Sequence, residues 1–494
     1  MRNRKGKKIL FVATEAAPFV KVGGLGEVMR SLPRALGRVG YDARVMLPKY
    51  ASMDLGKFPM TRIVENLRFV PDAEDPHGLF VCNVLAYEHK NGNGAYFLEN
   101  LEYFEKRANV YGYADDPVRW VLFSKGVLEF LKQSSWRPEV IVASDWQTGF
   151  VPDFLKRQYA HDPALSGVKT VFAIHNIYYQ GMFDHRFVSE TAFDTGHSTI
   201  PEFSDPRLLQ LNGMRRGILH ADLITTVSPS YAKEILKPEF GEGLEELLQE
   251  KRSKLFGVLN GLDYEEFNPA TDPHIPHPFS EKNLPERQKN KPKLQERFGL
   301  AQDPNAFTIG IVSRMDEQKG FELIMEIADA LFENLDFQMV AVGDGDNKYR
   351  LFFQELEKKY PGRFGGHYFF DADLPRLVFA GADAVLIPSR FEPCGLVQME
   401  AMRYGAIPIA RSTGGLADSI ENVSGANGVG FMFEKFNAYA LLIAVVRARE
   451  AFNNKDEWAK LVRRAMKKDF SWEHSAKEYG RLFDLAHAEQ PERT

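Results

Sequence analysis

The 494-residue sequence has only two cysteines, no run of some 18 uncharged apolar residues, and no surplus of basic side chains. Each shortage excludes a class of protein. Cys82, in the strand-like run LFVCNVL, and Cys394, in FEPCGL, make neither a disulfide framework nor a metal-ligand spacing, so a reducing cytoplasm is the expected home. Without a membrane-length apolar run, no segment is expected to span a bilayer. The start, MRNRKGKK, is basic like the first part of a secretory signal. The apolar run after it is broken by Thr14 and Glu15 and lacks a small-residue cleavage pattern, so an ordinary N-terminus is expected. Lys and Arg number 62 against 67 Asp and Glu, a net charge of -5, which gives a nucleic-acid partner no electrostatic support. A neutral polymer or a small molecule is the expected ligand.

What is present is the composition of a globular chain, 44% hydrophobic and 26% charged, long enough for two to three domains. Short β-rich runs alternate with helical patterns: KILFVAT, ARVMLP, EVIVASD, KTVFAIH and LITTVS, then FTIGIVS, FQMVAVG, HYFF, AVLIPS and IPIARS. This is the rhythm of doubly wound parallel sheets, an α/β fold. Between the two series, Asn268 to Lys293 carries six prolines, many charges and little apolar periodicity. The expected division is an N-terminal domain at 1–267, a linker at 268–295, a C-terminal domain at 296–470 and a closing helix at 471–494. Open parallel sheets bind ligands beyond the carboxyl ends of their strands, so two such domains are expected to face one another across an interdomain cleft.

The candidate residues follow strand ends: Asp145 after VIVAS, His175 after VFAI, Arg314 after GIVS and Glu392 after LIPS. Two glycine pairs, in KVGGLGEV (Lys21–Val28) and STGGLADS (Ser412–Ser419), are either tight turns or two halves of a diphosphate cradle; neither standard phosphate-loop pattern fits the first. Arg314 and Lys319, five apart, can stabilise a departing diphosphate without a metal. Glu392 and Glu400, in SRFEPCGLVQMEAM, put one carboxylate at a helix entrance and one two turns deeper, suited to two hydroxyl-bearing parts of one ligand. The D-x-D patterns at Gly343–Asp346 and Asp371–Asp373 are expected to cap turns or helices, and neither an essential metal nor a cofactor is expected.

Together KVGGLGEV, HNIYYQGMF, TTVSPSYAKEI, VLNGLDYEEFNPATD, SRMDEQKG, SRFEPCGL and STGGLADS resemble the bacterial glycogen synthase and plant starch synthase family, in order from about Ile9 to the late FSW. The resemblance implies a GT-B glycosyltransferase of two Rossmann-like domains, an N-terminal acceptor domain and a C-terminal nucleotide-sugar domain, with a last helix crossing back to the first. It implies transfer of glucose from ADP-glucose to the non-reducing end of an α-1,4-glucan, glycogen or a maltooligosaccharide, with retention of configuration. By the same resemblance Lys21, Gly23 and Gly24 line the donor diphosphate and acceptor side, and Arg314 and Lys319 stabilise the leaving ADP. Glu392, Cys394 and Gly395 hold the glucose, whose hydroxyls are also met by Asp145, His175 and Asn260, while Thr413 and Gly414 form a second phosphate-contacting turn. The sequence departs from the family at Gln147, where histidine is common, at Glu27, where aspartate is usual, and at Glu400, where many other retaining GT-B enzymes place a glutamate on the nucleotide ribose.

Two other readings compete. A related retaining GT-B enzyme would use UDP-glucose or another sugar nucleotide, as Glu400 suggests. A non-catalytic glucan-binding scaffold would have damaged charged positions, yet Lys21, Asp145, His175, Arg314, Lys319 and Glu392 are all in place.

Overall fold

The computed structural model describes residues 6–70, 79–88, 94–188 and 194–488. The chain divides into two compact units, one running to Gly261 and resuming at Trp472, the other from Leu262 to Ser471. None of the described helices is long and apolar enough to cross a membrane.

In the first unit, β1 (Lys8–Val12), β2 (Asp42–Pro48), β3 (Thr61–Phe69), β4 (Phe80–Tyr87), β5 (Ala95–Glu99), β6 (Val140–Ser144), β7 (Lys169–Ile174), β8 (Leu223–Thr226) and β9 (Leu255–Gly257) form one sheet in the order β3-β4-β5-β2-β1-β6-β7-β8-β9. The centre is parallel, Ile9 standing opposite Ala43 on one side and Val140 on the other. Ile9 to Val12 are fully buried, as a strand covered on both faces requires. Successive connections leave β1 in opposite directions, so the loops after β1 and β6 flank a topological switch point.

One edge departs from the expected all-parallel sheet: β3 is antiparallel to β4, and β4 to β5. The β3 segment TRIVENLRF is mostly exposed, and its ladder is interrupted near Asn66, which has a φ of 54°. An antiparallel strand with a wetted face suits an edge, where no helix need cover it.

Helix Trp472–His487 belongs to the first unit and lies against helix Gly24–Arg38. Lys7 Nζ bonds Asp484 at 2.9 Å, and the Tyr41 and Phe483 rings meet edge to face at 5.8 Å. The chain crosses tightly here, since a Cβ on Gly261 would lie 2.7 Å from Trp472 Cα.

The second unit holds β10 (Thr308–Val312), β11 (Gln338–Val342), β12 (Phe364–His367), β13 (Ala384–Ile387), β14 (Ile407–Arg411) and β15 (Phe431–Phe433), all parallel, in the order β12-β11-β10-β13-β14-β15. Its switch point lies between β10 and β13. Residues 268–295, read from the sequence as a linker, lie inside this unit. Helices Leu284–Gln288 and Asn290–Arg297 occur there, and Leu294 joins a core with Phe298, Val340, Val342 and Val378. Two of the charges that made the stretch look solvated are buried with partners: Arg287 donates to the carbonyls of Tyr404, Phe379 and Ala382, and Lys291 Nζ meets Asp383 Oδ2 at 2.6 Å. Pro285 lies at the start of its helix, where the missing N–H removes no intrahelical bond.

Candidate active site

In the first unit, three groups gather past the carboxyl ends of β1, β6 and β7. Asp145 follows β6 with a φ of 59°, a conformation that costs energy in a non-glycine residue. Its N–H donates to the Ala173 carbonyl at 2.9 Å, and its Oδ1 accepts the backbone N–H groups of His175 at 2.7 Å and Asn176 at 3.4 Å. The side chain of Asp145 therefore fixes the turn that presents His175. Burial pushes the Asp145 carboxyl up to about 7 against these two hydrogen bonds, with Glu15 adding to the rise. Burial pushes the His175 imidazole down to about 4, although Glu15 favours its charged form. At neutral pH His175 is therefore uncharged, and its buried Nε2 has no hydrogen-bond partner among the described residues. Asn260, past β9, is also buried with its Oδ1 unpartnered among the described residues. Buried polar atoms left this way are capacity for a ligand hydroxyl.

The Lys21–Gly24 loop joins β1 to helix Gly24–Arg38. Its amides at Val22 and Gly23 donate to Glu15 Oε2, at 2.6 and 2.8 Å, and Lys21 Nζ meets Glu27 Oε2 at 3.1 Å. A Cβ on Gly24 would meet nothing, so that glycine faces open space.

In the second unit, Lys319 ends a short turn after β10 and Glu392 lies in the turn after β13. Lys319 Nζ stands 2.7 Å from Glu392 Oε2, which also accepts the Ser389 hydroxyl at 3.0 Å. The two turns are pinned together. Arg390 N–H donates to the Gln318 carbonyl at 2.8 Å, and Gly320, at a φ of 69°, comes so close that a Cβ would lie 2.1 Å from the Pro388 oxygen. Arg314 is exposed and pairs with Asp316 Oδ2 at 3.1 Å. Burial raises the Asp316 carboxyl, opposed by Arg314 and Lys319.

The glycine pair after β14 has a structural task. A Cβ on Gly414 would sit 2.0 Å from the Glu392 oxygen and one on Gly415 2.0 Å from the Cys394 oxygen, while Gly415 N–H donates to the Glu392 carbonyl at 3.0 Å. Gly414 and Gly415 thus pack closely against the Glu392 turn, and Thr413 precedes them at the start of their helix. Gln398 binds the same turn, its Nε2 donating to the carbonyls of Cys394 and Gly395 at 3.1 and 2.7 Å.

Of the residues expected from the sequence, Lys319, Glu392 and Gly395 line one small cavity of about 70 Å³ with Ser313, Ser389 and Gln398. Arg314, Cys394, Glu400, Thr413 and Gly414 are not among the described residues lining it. Glu400 is half-buried in helix Val397–Arg403. Gln147 is buried with its Oε1 unpartnered among the described residues. Asp371 caps a turn, accepting from the N–H groups of Asp373 and Leu374 at 2.9 and 2.8 Å. In the sequence Glu15 stands out only as a break in an apolar run; its place just past the first strand, as Asp145 stands past the sixth, is the signal for it.

Comparison with known proteins agrees over nearly the whole chain. Residues 8–250 match the starch synthase catalytic domain family and residues 292–468 the glycosyl transferases group 1 family. A glycogen synthase of Clostridium novyi (strain NT) is 40% identical over 480 residues, spanning 96% of this chain and 98% of that protein. One from Geotalea uraniireducens (strain Rf4) is 39% identical over 488 residues, spanning 97% and 99%. The solved catalytic domain of starch synthase IV from Arabidopsis thaliana, bound to ADP and acarbose, aligns with a TM-score of 0.85 at 31% identity, covering 98% of this chain and 99% of that one. A sucrose-phosphate synthase from Thermosynechococcus elongatus shares the fold, with a TM-score of 0.58 at 18% identity over 97% and 98% of the chains.

Proposed function

The chain belongs to the bacterial glycogen synthase and starch synthase family, and from that premise we propose that it transfers glucose from ADP-glucose to the non-reducing end of an α-1,4-glucan, with retention of configuration. It is a glycosyltransferase of the GT-B fold, and a sugar nucleotide and a glucan are its substrates. The observation that carries the reading is the Lys319–Glu392 pair, held at 2.7 Å between the turns that follow β10 and β13.

In this reading the bond from glucose C1 to the diphosphate oxygen breaks as C1 bonds the incoming glucan hydroxyl, whose proton passes to the leaving diphosphate. Such a step depends on stabilising the departing negative charge more than on a strong base. Lys319 supplies a compact cation beside the sugar, and Arg314, exposed and tied only through Asp316 in the contacts described above, supplies a planar fork for phosphate oxygens. Glu392 orients glucose by accepting from its hydroxyls, with Cys394 and Gly395 shaping the turn. Asp145, neutral His175 and Asn260 offer further hydroxyl partners, and Lys21 and Gly24 meet the donor diphosphate and acceptor side from a loop whose Gly23 amide is held by Glu15. Thr413 and Gly414 approach phosphate, and Glu400 serves the ribose. Both cysteines are buried thiols, which suits a reducing cytoplasm.

Glu400 favours one alternative, a related enzyme using UDP-glucose. The test is glucose incorporation into glycogen by the purified chain, with ADP-glucose and UDP-glucose supplied separately and Lys319→Ala as control. Transfer from ADP-glucose that the substitution slows by about 10²–10³-fold is the expected result. Transfer from UDP-glucose alone overturns the donor, and none from either overturns the transferase reading.

A further inference from the structure

Past β1 the chain carries Glu15 over the carboxyl edge of the sheet before turning into the Lys21–Gly24 loop. Glu15 is only 3% exposed. A carboxylate so far from water persists when its oxygens are used by donors. Oε2 accepts both the Val22 and Gly23 N–H groups, at 2.6 and 2.8 Å, and Oε1 accepts the Tyr111 hydroxyl at 3.2 Å. Tyr111 is itself tied to Thr14 Oγ1 at 2.7 Å. Hydrogen bonds to an ionised oxygen are short and strong, and these two engage the amides that a glycine-rich loop would otherwise turn on a bound phosphate. The loop folds around an anion of its own.

The first turn of the helix closes over the same carboxylate, since a Cβ on Gly26 would lie 2.9 Å from Glu15 Oε2. On the loop's other side Glu27 Oε2 holds the Lys21 ammonium at 3.1 Å. Glu15 thus fixes the backbone and Glu27 the cation, leaving Gly24 toward open space and the Lys21 side chain 53% exposed.

We propose that Glu15 is a positioning residue for the transfer reaction, holding the Lys21–Gly24 loop in the shape that meets substrate. The inference rests on the functional reading above. Both Glu15 oxygens are engaged by the protein, so the residue acts through the loop. Gly-Gly segments lose the most backbone freedom on ordering, and a loop containing one needs such an anchor to stay in one conformation.

Trypsin cleavage after Lys21 in the full-length protein reports loop opening without requiring any turnover. Glu15→Ala is expected to be cut there at least about tenfold faster than wild type, two charge-assisted hydrogen bonds being lost, with cleavage elsewhere unchanged. Its kcat for glucose transfer is expected to fall by about 10²-fold, as misplacement of binding groups produces, with a smaller change in KM for the donor. Glu15→Gln keeps an acceptor oxygen for the two amides and is expected to restore loop protection and most of kcat. If Glu15→Ala fails to fold, Gly26→Ala displaces the same carboxylate and is expected to expose Lys21 likewise. The proposal is overturned if Glu15→Ala loses transfer while Lys21 stays protected, or if Glu15→Gln keeps the loop protected yet loses transfer as fully as alanine. Absence of transfer by the wild type would overturn the functional reading, and the reaction role of Glu15 with it. The cleavage rates would still decide whether Glu15 holds the loop.

Discussion

Lys319 and Glu392 are 73 positions apart in sequence, yet their charged atoms stand 2.7 Å apart because β10 and β13 are neighbours and their loops leave the same edge of the sheet. Both side chains are largely buried, at 17% and 9% exposure, so neither can lose its partner without consequence. Lys319→Ala is expected to lower kcat by about 10²–10³-fold with a smaller change in donor KM, the effect of removing a charge that acts on the leaving group. A cycle with Glu392→Gln separates two roles. If the pair only neutralised itself, the double variant would recover toward wild type. Direct action of both groups on substrate predicts a double variant at least as slow as the worse single one.

The close packing against the Glu392 turn is equally testable. Gly414 has a φ of 44°, in the left-handed region, and a Cβ there would collide with the Glu392 oxygen. Gly414→Ala is expected to cost about 1–2 kcal/mol from the backbone conformation, with the collision adding to it. Because the collision is with the turn that carries Glu392, kcat should fall further than the loss of folded protein explains. Urea unfolding together with turnover per folded molecule measures both. A variant with wild-type turnover would separate Gly414 from the site.

These residues also show what a sequence can and cannot convey. The places of Asp145, His175, Arg314 and Glu392 past strand ends were legible because each follows an apolar β-rich run, and the carboxyl ends of parallel strands are where such folds bind ligands. The two glycine pairs looked alike, yet Val22 and Gly23 donate to Glu15 whereas Gly414 and Gly415 make room for carbonyls of the Glu392 turn. Pattern alone does not reveal where an amide points or what a missing Cβ avoids. Glu15 was missed for the same reason, its partners being backbone amides seven and eight positions on. Residues 268–295 misled because buried Arg287 and Lys291 read as solvated charge; their partners are carbonyls and Asp383, all distant in sequence.

Asp145 and His175 shape stability in opposite directions with pH. The folded Asp145 holds its proton to about 7, against 3.8 for the ordinary side chain, so its contribution is full below 3.8 and is lost as pH rises toward 7. The folded His175 refuses a proton down to about 4, against 6.5, so its contribution is present above 6.5 and is lost as pH falls toward 4. Between about 4 and 6.5 the two slopes oppose each other, each at most about 1.4 kcal/mol per pH unit. Relative to wild type, Asp145→Asn should gain stability as pH rises through this window, and His175→Gln should lose it. Urea midpoints across the window measure both, and parallel curves for wild type and Asp145→Asn would show that Asp145 titrates normally.

Gly26 gives a prediction in which the local rule and the tertiary contact disagree in sign. It is the third residue of helix Gly24–Arg38, where alanine ordinarily stabilises by about 0.8–1.0 kcal/mol relative to glycine. Here a Cβ would lie 2.9 Å from Glu15 Oε2 and 3.3 Å from Lys21 Cα, so both the buried carboxylate and the loop backbone must shift to admit it. A carboxylate moved off its amide donors loses hydrogen bonds to a charged group worth about 1.5–3 kcal/mol each, which exceeds the helical gain. Gly26→Ala is therefore expected to lower the thermal midpoint, and Gly24→Ala, whose Cβ meets nothing, to leave it unchanged or raise it. If Gly26→Ala instead raised the midpoint by the ordinary helical increment, the grip of Glu15 on the loop would be too loose to position anything.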